Sequence, residues 1–180
     1  MRIVADLDRQ RIEQVAIGLA AVRDAGGRLF ALGVGGSAAH ASHAVNDFRK
    51  LCGFEAYAPS DNVSELTARV NDDGWETAYV EWLRGSRLSR DDAVLVLSVG
   101  GGSRETKLSQ NLVAALDLAQ EVSAHIFAIV GRDGGYAGQV AEACIVIPPL
   151  VPEHVTPHTE GIASVICHLL VSHPVLQQST

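Results

Sequence analysis

The sequence predicts an α/β fold, a parallel β-sheet between two layers of helices, hence a three-layer sandwich. Three observations carry the prediction. Short runs rich in Val, Ile and Leu recur along the 180 residues, and they are too continuously apolar to keep one face in water. Three of these runs end in glycine-rich turns: "LGVGGS" (32–37), "SVGGGS" (98–103) and "GRDGG" (131–135). Between the runs lie segments whose apolar residues fall at helical spacing.

The elements follow in order. Ile12, Val15, Leu19 and Val22 place a helix over Leu7 to Asp24, stopped by Gly26-Gly27. "RLFALG" (28–33) is a buried strand, and residues 37 to 50 form a helix with Ser37 as its N-cap. "FEAYA" (54–58) is a second strand. "SELTARV" and "WETAYVEWLR" are two helices broken around the turn "NDDG" (71–74). In the second of these, Trp75, Tyr79 and Trp82 recur at helical spacing, as core or subunit contacts. A strand within 91–103, a helix over about 109–120, a strand within 124–135 and a strand at 143–148 come next. The closing helix spans 156–173, with Thr156 as cap and Pro157 in its first turn, before Pro174. No linker or repeat divides the chain, so a single domain over 1–180 is expected.

Composition narrows the partners. The net charge is −7 and the basic residues do not cluster, which disfavours nucleic acid and anionic membranes. Cys52, Cys144 and Cys167 have neither disulfide-framework nor zinc-knuckle spacing, and the N-terminus has no apolar signal core. A reducing cytoplasm is the expected location.

In a sheet of this type, ligands bind beyond the carboxyl ends of the strands, where all three glycine turns would lie. Glycines let backbone N–H groups approach an anion, and the helix that follows offers its unpaired N–H groups. The same glycines would also serve a tight strand-to-helix connection. The dinucleotide fingerprint fails because position 38 is alanine, and the P-loop lysine is missing.

Two helices carry polar pairs. His43 and Asp47 are four residues apart on one face, with His40 near the same stripe. Glu160 and His168 are eight apart on the closing helix, again on one face. If they converge, these groups suit a divalent metal, or proton transfer next to a carbonyl; separately, each pair is an ordinary surface or core contact. Of the other histidines, His125 begins a strand, His154 and His158 flank the start of the closing helix, and His173 ends it.

"GVGGSAAHASH", "NDDGW", "LSVGGGS", "GRDGG" and the closing Glu…His helix, in this order over about residues 5–172, resemble the sugar isomerase (SIS) domain, and within it the phosphoheptose isomerases. The resemblance implies a five-stranded parallel sheet. It also implies a homotetramer with sites shared between subunits, in which the N-terminal helix (about 5–26) packs. It implies zinc held by His43, Asp47, Glu160 and His168, and a sugar phosphate contacted by Gly35, Gly36, Ser37, Asp72, Ser98, Gly100, Gly101, Gly102 and Ser103. Asp47 and His168 would be the catalytic acid–base pair.

The departures are specific. Val34 stands where the family usually has Asn, and Val99, Gly100 and Gly102 remove polar side chains from the phosphate loop. Asp47 is shorter than the family's Glu, and Glu160 replaces Gln, adding a charge that favours a divalent cation. Extra residues around "RETKLSQ" bring Arg104 and Lys107, candidates to replace the lost contacts. The expected reaction is aldose–ketose isomerisation of sedoheptulose 7-phosphate to a heptose 7-phosphate through an enediol. The alternatives are the same chemistry on another sugar phosphate, or a noncatalytic SIS module that binds a sugar phosphate or a protein.

Overall fold

In the computed structural model, which describes residues 2–178, the elements alternate as the hydrophobic pattern requires. They are α1 (Arg2–Ala5), α2 (Arg9–Asp24), β1 (Leu29–Leu32), α3 (Gly36–Cys52), β2 (Ala56–Tyr57), α4 (Val63–Asp73), α5 (Ala78–Gly85), β3 (Ala93–Ser98), α6 (Gln110–Glu121), β4 (His125–Val130), α7 (Gly135–Val140), β5 (Ala143–Val146) and α8 (Val155–Val171). All strand pairs are parallel, in the order β2-β1-β3-β4-β5. The chain leaves β1 for β2 on one side and returns for β3 on the other. The carboxyl ends of β1 and β3 therefore flank a switch point, where an open α/β sheet leaves a crevice.

Each strand is buried on both faces because successive side chains serve two cores. Leu29, Ala31, Leu95, Leu97, Phe127 and Ile129 pack with α2, α3 and α8. Phe30, Leu32, Val94, Val96, Ile126 and Ala128 pack with α5, α6 and α7 on the other face. A large aliphatic or aromatic side chain buried in this way contributes about 1.5–3 kcal/mol. A one-residue slip would exchange the two sets, so the register is strongly specified. At the opposite, amino end of the strands, Arg28 donates to both carboxylate oxygens of buried Asp92, at 3.0 and 2.8 Å. Burial works to raise the Asp92 pKa, but hydrogen bonds from Arg28 and Ser89 outweigh it and hold the carboxyl below its ordinary value.

The structure departs from the local signals at two caps and one turn, and it adds two short helices. The helix expected over Leu7 to Asp24 is α2, which Asp8 caps by accepting from the N–H groups of Gln10 and Arg11, and the four-residue α1 precedes it. Ser37 is not an N-cap: Gly35 holds that position with φ 63° and ψ −127°, a conformation available essentially to glycine, and Ser37 lies inside the first turn. Thr156 is likewise inside α8, whose N-cap is His154. Asn71, Asp72 and Asp73 form the last turn of α4 rather than a loop, and the break comes at Gly74. A six-residue helix, α7, follows the third glycine turn.

Candidate active site

The pattern of α3 puts His43 and Asp47 one turn apart on its outer face, while Ala41, Ala44, Val45 and Phe48 face the core. On α8, Ile166, Cys167 and Leu170 are buried and His168 is turned outward. The two helices pack side by side and run the same way. Gly36 meets Glu160 near their amino ends, and His43 and Asp47 meet His168 further along.

That meeting is close. His43 Nε2 and His168 Nε2 are 3.1 Å apart. Asp47 Oδ2 lies 3.1 Å from the first and 3.5 Å from the second. The other oxygen, Oδ1, accepts from the Asn46 side-chain amide at 2.9 Å, so Oδ2 alone faces both imidazoles. Two ring nitrogens and a carboxylate oxygen directed at one point can share few protons; a cation satisfies all three. Ligands of a tetrahedral zinc, at about 2.0–2.1 Å from the ion, stand roughly 3.3 Å from each other. The three observed separations fit that requirement. Three protein ligands also leave a position for water or substrate, the arrangement of catalytic rather than structural zinc sites. The buried Cys167 thiol is pushed up to about 12, by burial first and the Asp47 charge second, which keeps it protonated.

Glu160 does not join the cluster. Its carboxylate packs on Gly36, so closely that a Cβ there would lie 2.5 Å from Oε1. Eight residues, about 12 Å of rise, separate Glu160 from His168. A carboxylate at the amino end of α3 also sits at the positive end of that helix's dipole. His40 is half-buried and stands outside the cluster.

The glycine loops lie at the carboxyl ends of β1, β3 and β4, as expected. In the first, Gly33 tucks beneath the start of α3, where a Cβ would fall 2.3 Å from Ser37 O. The N–H groups of Gly36 and Ser37 have no backbone acceptor, which leaves them for a ligand.

The second loop is largely occupied with itself. Ser98 Oγ accepts from Gly101 N at 3.0 Å. Ser103 donates its N–H to Leu108 O, and its Oγ accepts from Thr106 N. Gly102 O and Gly101 O accept from Tyr136 and Ala137 at the start of α7. Among the described residues, the N–H groups of Val99, Gly100 and Gly102 find no protein acceptor. Arg104 is also committed: it pairs with Asp117, stacks 4.5 Å over the Tyr136 ring and donates to its hydroxyl. The third loop approaches the closing helix, where buried Thr159 contacts Gly131. Asp72 is exposed, accepts from Asn71, and makes no hydrogen bond to either of the first two loops.

The other histidines are held apart from the cluster. His125 faces Glu142 and His173 faces Glu13, each at 2.9 Å, and the rings of His154 and His158 stack edge to face. Two tyrosines contact the loops beyond the residues the sequence singles out for the site. Tyr79 is 1% exposed, and its hydroxyl donates to Gly33 O. Tyr136 ties the second loop through its backbone and its ring. The available signal was a tyrosine at a helix position otherwise filled by apolar residues, because a buried phenol needs a partner.

Comparison with known proteins agrees with this fold. No family model matches the chain. A phosphoheptose isomerase of Akkermansia muciniphila is 33% identical over 165 residues, covering 88% of this chain and 83% of the relative. The lincomycin biosynthesis protein LmbN of Streptomyces lincolnensis is 34% identical over 182 residues, 96% of this chain, but the match spans only 62% of that longer protein. Among solved structures, phosphoheptose isomerase GmhA of Neisseria gonorrhoeae superposes with a TM-score of 0.77 at 24% identity, over 91% of this chain and 84% of that one. The Vibrio vulnificus NanR protein, complexed with ManNAc-6P, shares the fold at a TM-score of 0.65 and 14% identity, over 95% of this chain and 55% of that one. With a parallel five-stranded sheet, glycine turns along its carboxyl edge and this level of identity over most of both chains, the protein belongs to the phosphoheptose isomerase family, phosphosugar isomerases built on the SIS fold.

Proposed function

We propose that the protein interconverts the ketose and aldose forms of a seven-carbon sugar phosphate, sedoheptulose 7-phosphate and a heptose 7-phosphate, at the α3–α8 cluster. The observation that carries this reading is the convergence of His43 Nε2, His168 Nε2 and Asp47 Oδ2 within 3.5 Å of one another. These three residues would hold a divalent metal, zinc by donor type. When bound, such an ion polarises the substrate's adjacent carbonyl and hydroxyl oxygens.

The chain's own groups do the rest. Asp47 and His168, each free of the ion while it carries the proton, take a proton from one carbon of the sugar and return it to its neighbour, while a hydroxyl proton passes from one oxygen to the other, with an enediol between the two steps. Fixing Asp47 Oδ1 on Asn46 leaves a single oxygen, Oδ2, for the cluster. The charge of Glu160 beside Gly36 opposes a phosphate there, so the sugar's hydroxyl end belongs at the first loop. The phosphate belongs with the free N–H groups of Gly100 and Gly102 and with Ser98, Gly101 and Ser103. Asp72, in the last turn of α4, would be a further substrate contact.

Exposure supports self-association. His43 and His168 side chains are 53% and 56% exposed, and Val165 and Leu169 on α8 are exposed beside His168. A site that must exclude water needs a cover, which a second copy in a homotetramer supplies. Among the described residues no helix is long and apolar enough to cross a membrane. The three cysteines are free, in keeping with a cytoplasmic enzyme.

The deciding assay incubates purified protein with sedoheptulose 7-phosphate, with and without zinc. Formation of the aldose, dependent on metal, is expected; no aldose from folded protein under either condition overturns the proposal. The self-satisfied second loop favours one further reading, the same isomerisation on a different sugar phosphate. A panel of five- to eight-carbon ketose phosphates separates the two.

A further inference from the structure

The first glycine loop has to hold two things in place: its free N–H groups, and the start of the helix that carries His43 and Asp47. Its own means of doing so are slight. Gly35 is an N-cap without a side chain, and the β1–β3 ladder ends at Leu32. The carbonyl of Gly33, one residue beyond the ladder, would be a buried acceptor with no strand partner. It is taken instead by the hydroxyl of Tyr79, the second residue of α5. Tyr79 is fully enclosed, and burial pushes its phenol up to about 12, so it stays a donor throughout the working pH range.

The contact lies where the loop is most sensitive. Gly33 packs so tightly against Ser37 O and Ala38 N that no Cβ fits between them. Fixing Gly33 therefore fixes the first turn of α3, including Gly36, against which Glu160 rests. On its other side, the Tyr79 ring meets the edge of Trp75, 5.7 Å between centroids, in the segment that follows Asp72, Asp73 and Gly74. One side chain thus joins two stretches proposed to contact substrate, the Asp72–Trp75 segment and the Gly33–Ser37 loop.

We infer that Tyr79 is a positioning residue: by donating to Gly33 O it sets the first loop and the start of α3 in the geometry that receives the sugar. The inference deepens the proposed isomerase reading and rests on it for the substrate, but not for the loop geometry. The test is Tyr79→Phe, which removes one oxygen and keeps the ring packing.

Two readouts are paired. The first is amide hydrogen exchange at Ala38 and Ala39, whose N–H groups donate to Gly35 O in the first turn of α3. Their exchange should quicken about tenfold, while β3 and α6 amides keep wild-type rates, the signature of a local opening. The second is kinetics on the sugar phosphate. KM should rise about five- to tenfold, with kcat little changed, the scale of one hydrogen bond. Trp82→Phe, which trims the same helix without touching the loop, should leave the Ala38 and Ala39 rates unselected.

Wild-type exchange at Ala38 and Ala39 in Tyr79→Phe overturns the inference. So does acceleration spread evenly over α5, β3 and α6, which would mark Tyr79 as packing alone. If selective acceleration appears in a protein that isomerises no sugar phosphate, the loop-positioning role stands and the proposed reaction is what fails.

Discussion

The α3–α8 cluster and the second glycine loop are both placed by the sheet, yet they are built in opposite ways. The cluster consists of three side chains on two long helices, and each of those helices is fixed by a buried face of its own. The loop consists of backbone, and it is fixed by other backbone: Gly101 against Gly134 O, and Gly135 against Gly100 O, at approaches of about 2 Å for an added Cβ. Chemistry in the first region can be changed without disturbing the fold. In the second, binding geometry and local structure are the same set of atoms. Substitutions should therefore separate activity from stability at the cluster and fail to separate them at the loop.

The largest effect is expected at the cluster. His168→Ala should lower kcat/KM by about 10²–10⁴-fold, the range for loss of a positioned acid–base group, with metal content falling at the same time. The melting temperature of the metal-free protein should hardly move, because His168 is exposed. Elemental analysis, kinetics and thermal unfolding of one preparation check all three. Chelation of the wild type should likewise stop turnover and leave the circular dichroism spectrum in place. A large loss of secondary structure on chelation would make the metal structural and break the contrast.

Glu160 sharpens it. Because its carboxylate sits on Gly36 rather than beside His43, Asp47 and His168, Glu160→Gln should retain the metal stoichiometry that His168→Ala loses. Equal loss in both variants would bring Glu160 into the ligand set and make the two ends of the α3–α8 groove one site.

At the loop, Gly101→Ala meets a carbonyl oxygen at 1.9 Å and a φ of 67°. A cost of about 2–4 kcal/mol in unfolding free energy is expected, from strain and overpacking together. Activity and stability should fall together, as denaturant unfolding beside kinetics would show. Ser98→Ala removes only the acceptor of the Gly101 N–H and should cost about 1 kcal/mol, with a rise in KM.

These two regions also explain what the sequence revealed and what it hid. The strands were legible because side chains buried on both faces leave continuous apolar runs, as in Ala93–Ser98 and His125–Val130. His43 and Asp47 were legible as a pair because four residues make one turn. Glu160 and His168 were legible as sharing a face, but a shared face leaves the separation along the axis open. The caps expected at Ser37 and Thr156 lie elsewhere because a glycine conformation at Gly35 and a 3₁₀ turn at Pro152–His154 start the two helices earlier than side-chain capping chemistry suggests. The bonds from Tyr136 and Ala137 to Gly102 and Gly101 had no sequence signal, since they run between backbone atoms that only the fold brings together. Tyr79 and Gly33 are 46 residues apart, and only the fold shows that a phenol and a carbonyl meet.

Arg104 gives the smallest expected effect and the finest test of the contrast. It lies in the extra segment after the loop, exposed, paired with Asp117 and stacked on Tyr136. An exposed ion pair of this kind contributes little to stability. Arg104→Ala should therefore leave the melting temperature unchanged. Yet the same guanidinium ties the segment that begins at Ser103 to the helix whose first N–H groups hold Gly101 and Gly102. Released from Tyr136, that segment can drift without unfolding, and the phosphate end of the site would drift with it. The expected result is a higher KM with kcat and stability preserved, measured as a kinetic split beside a thermal scan. Function would separate from fold here, because the connection is made by an exposed side chain rather than by buried backbone.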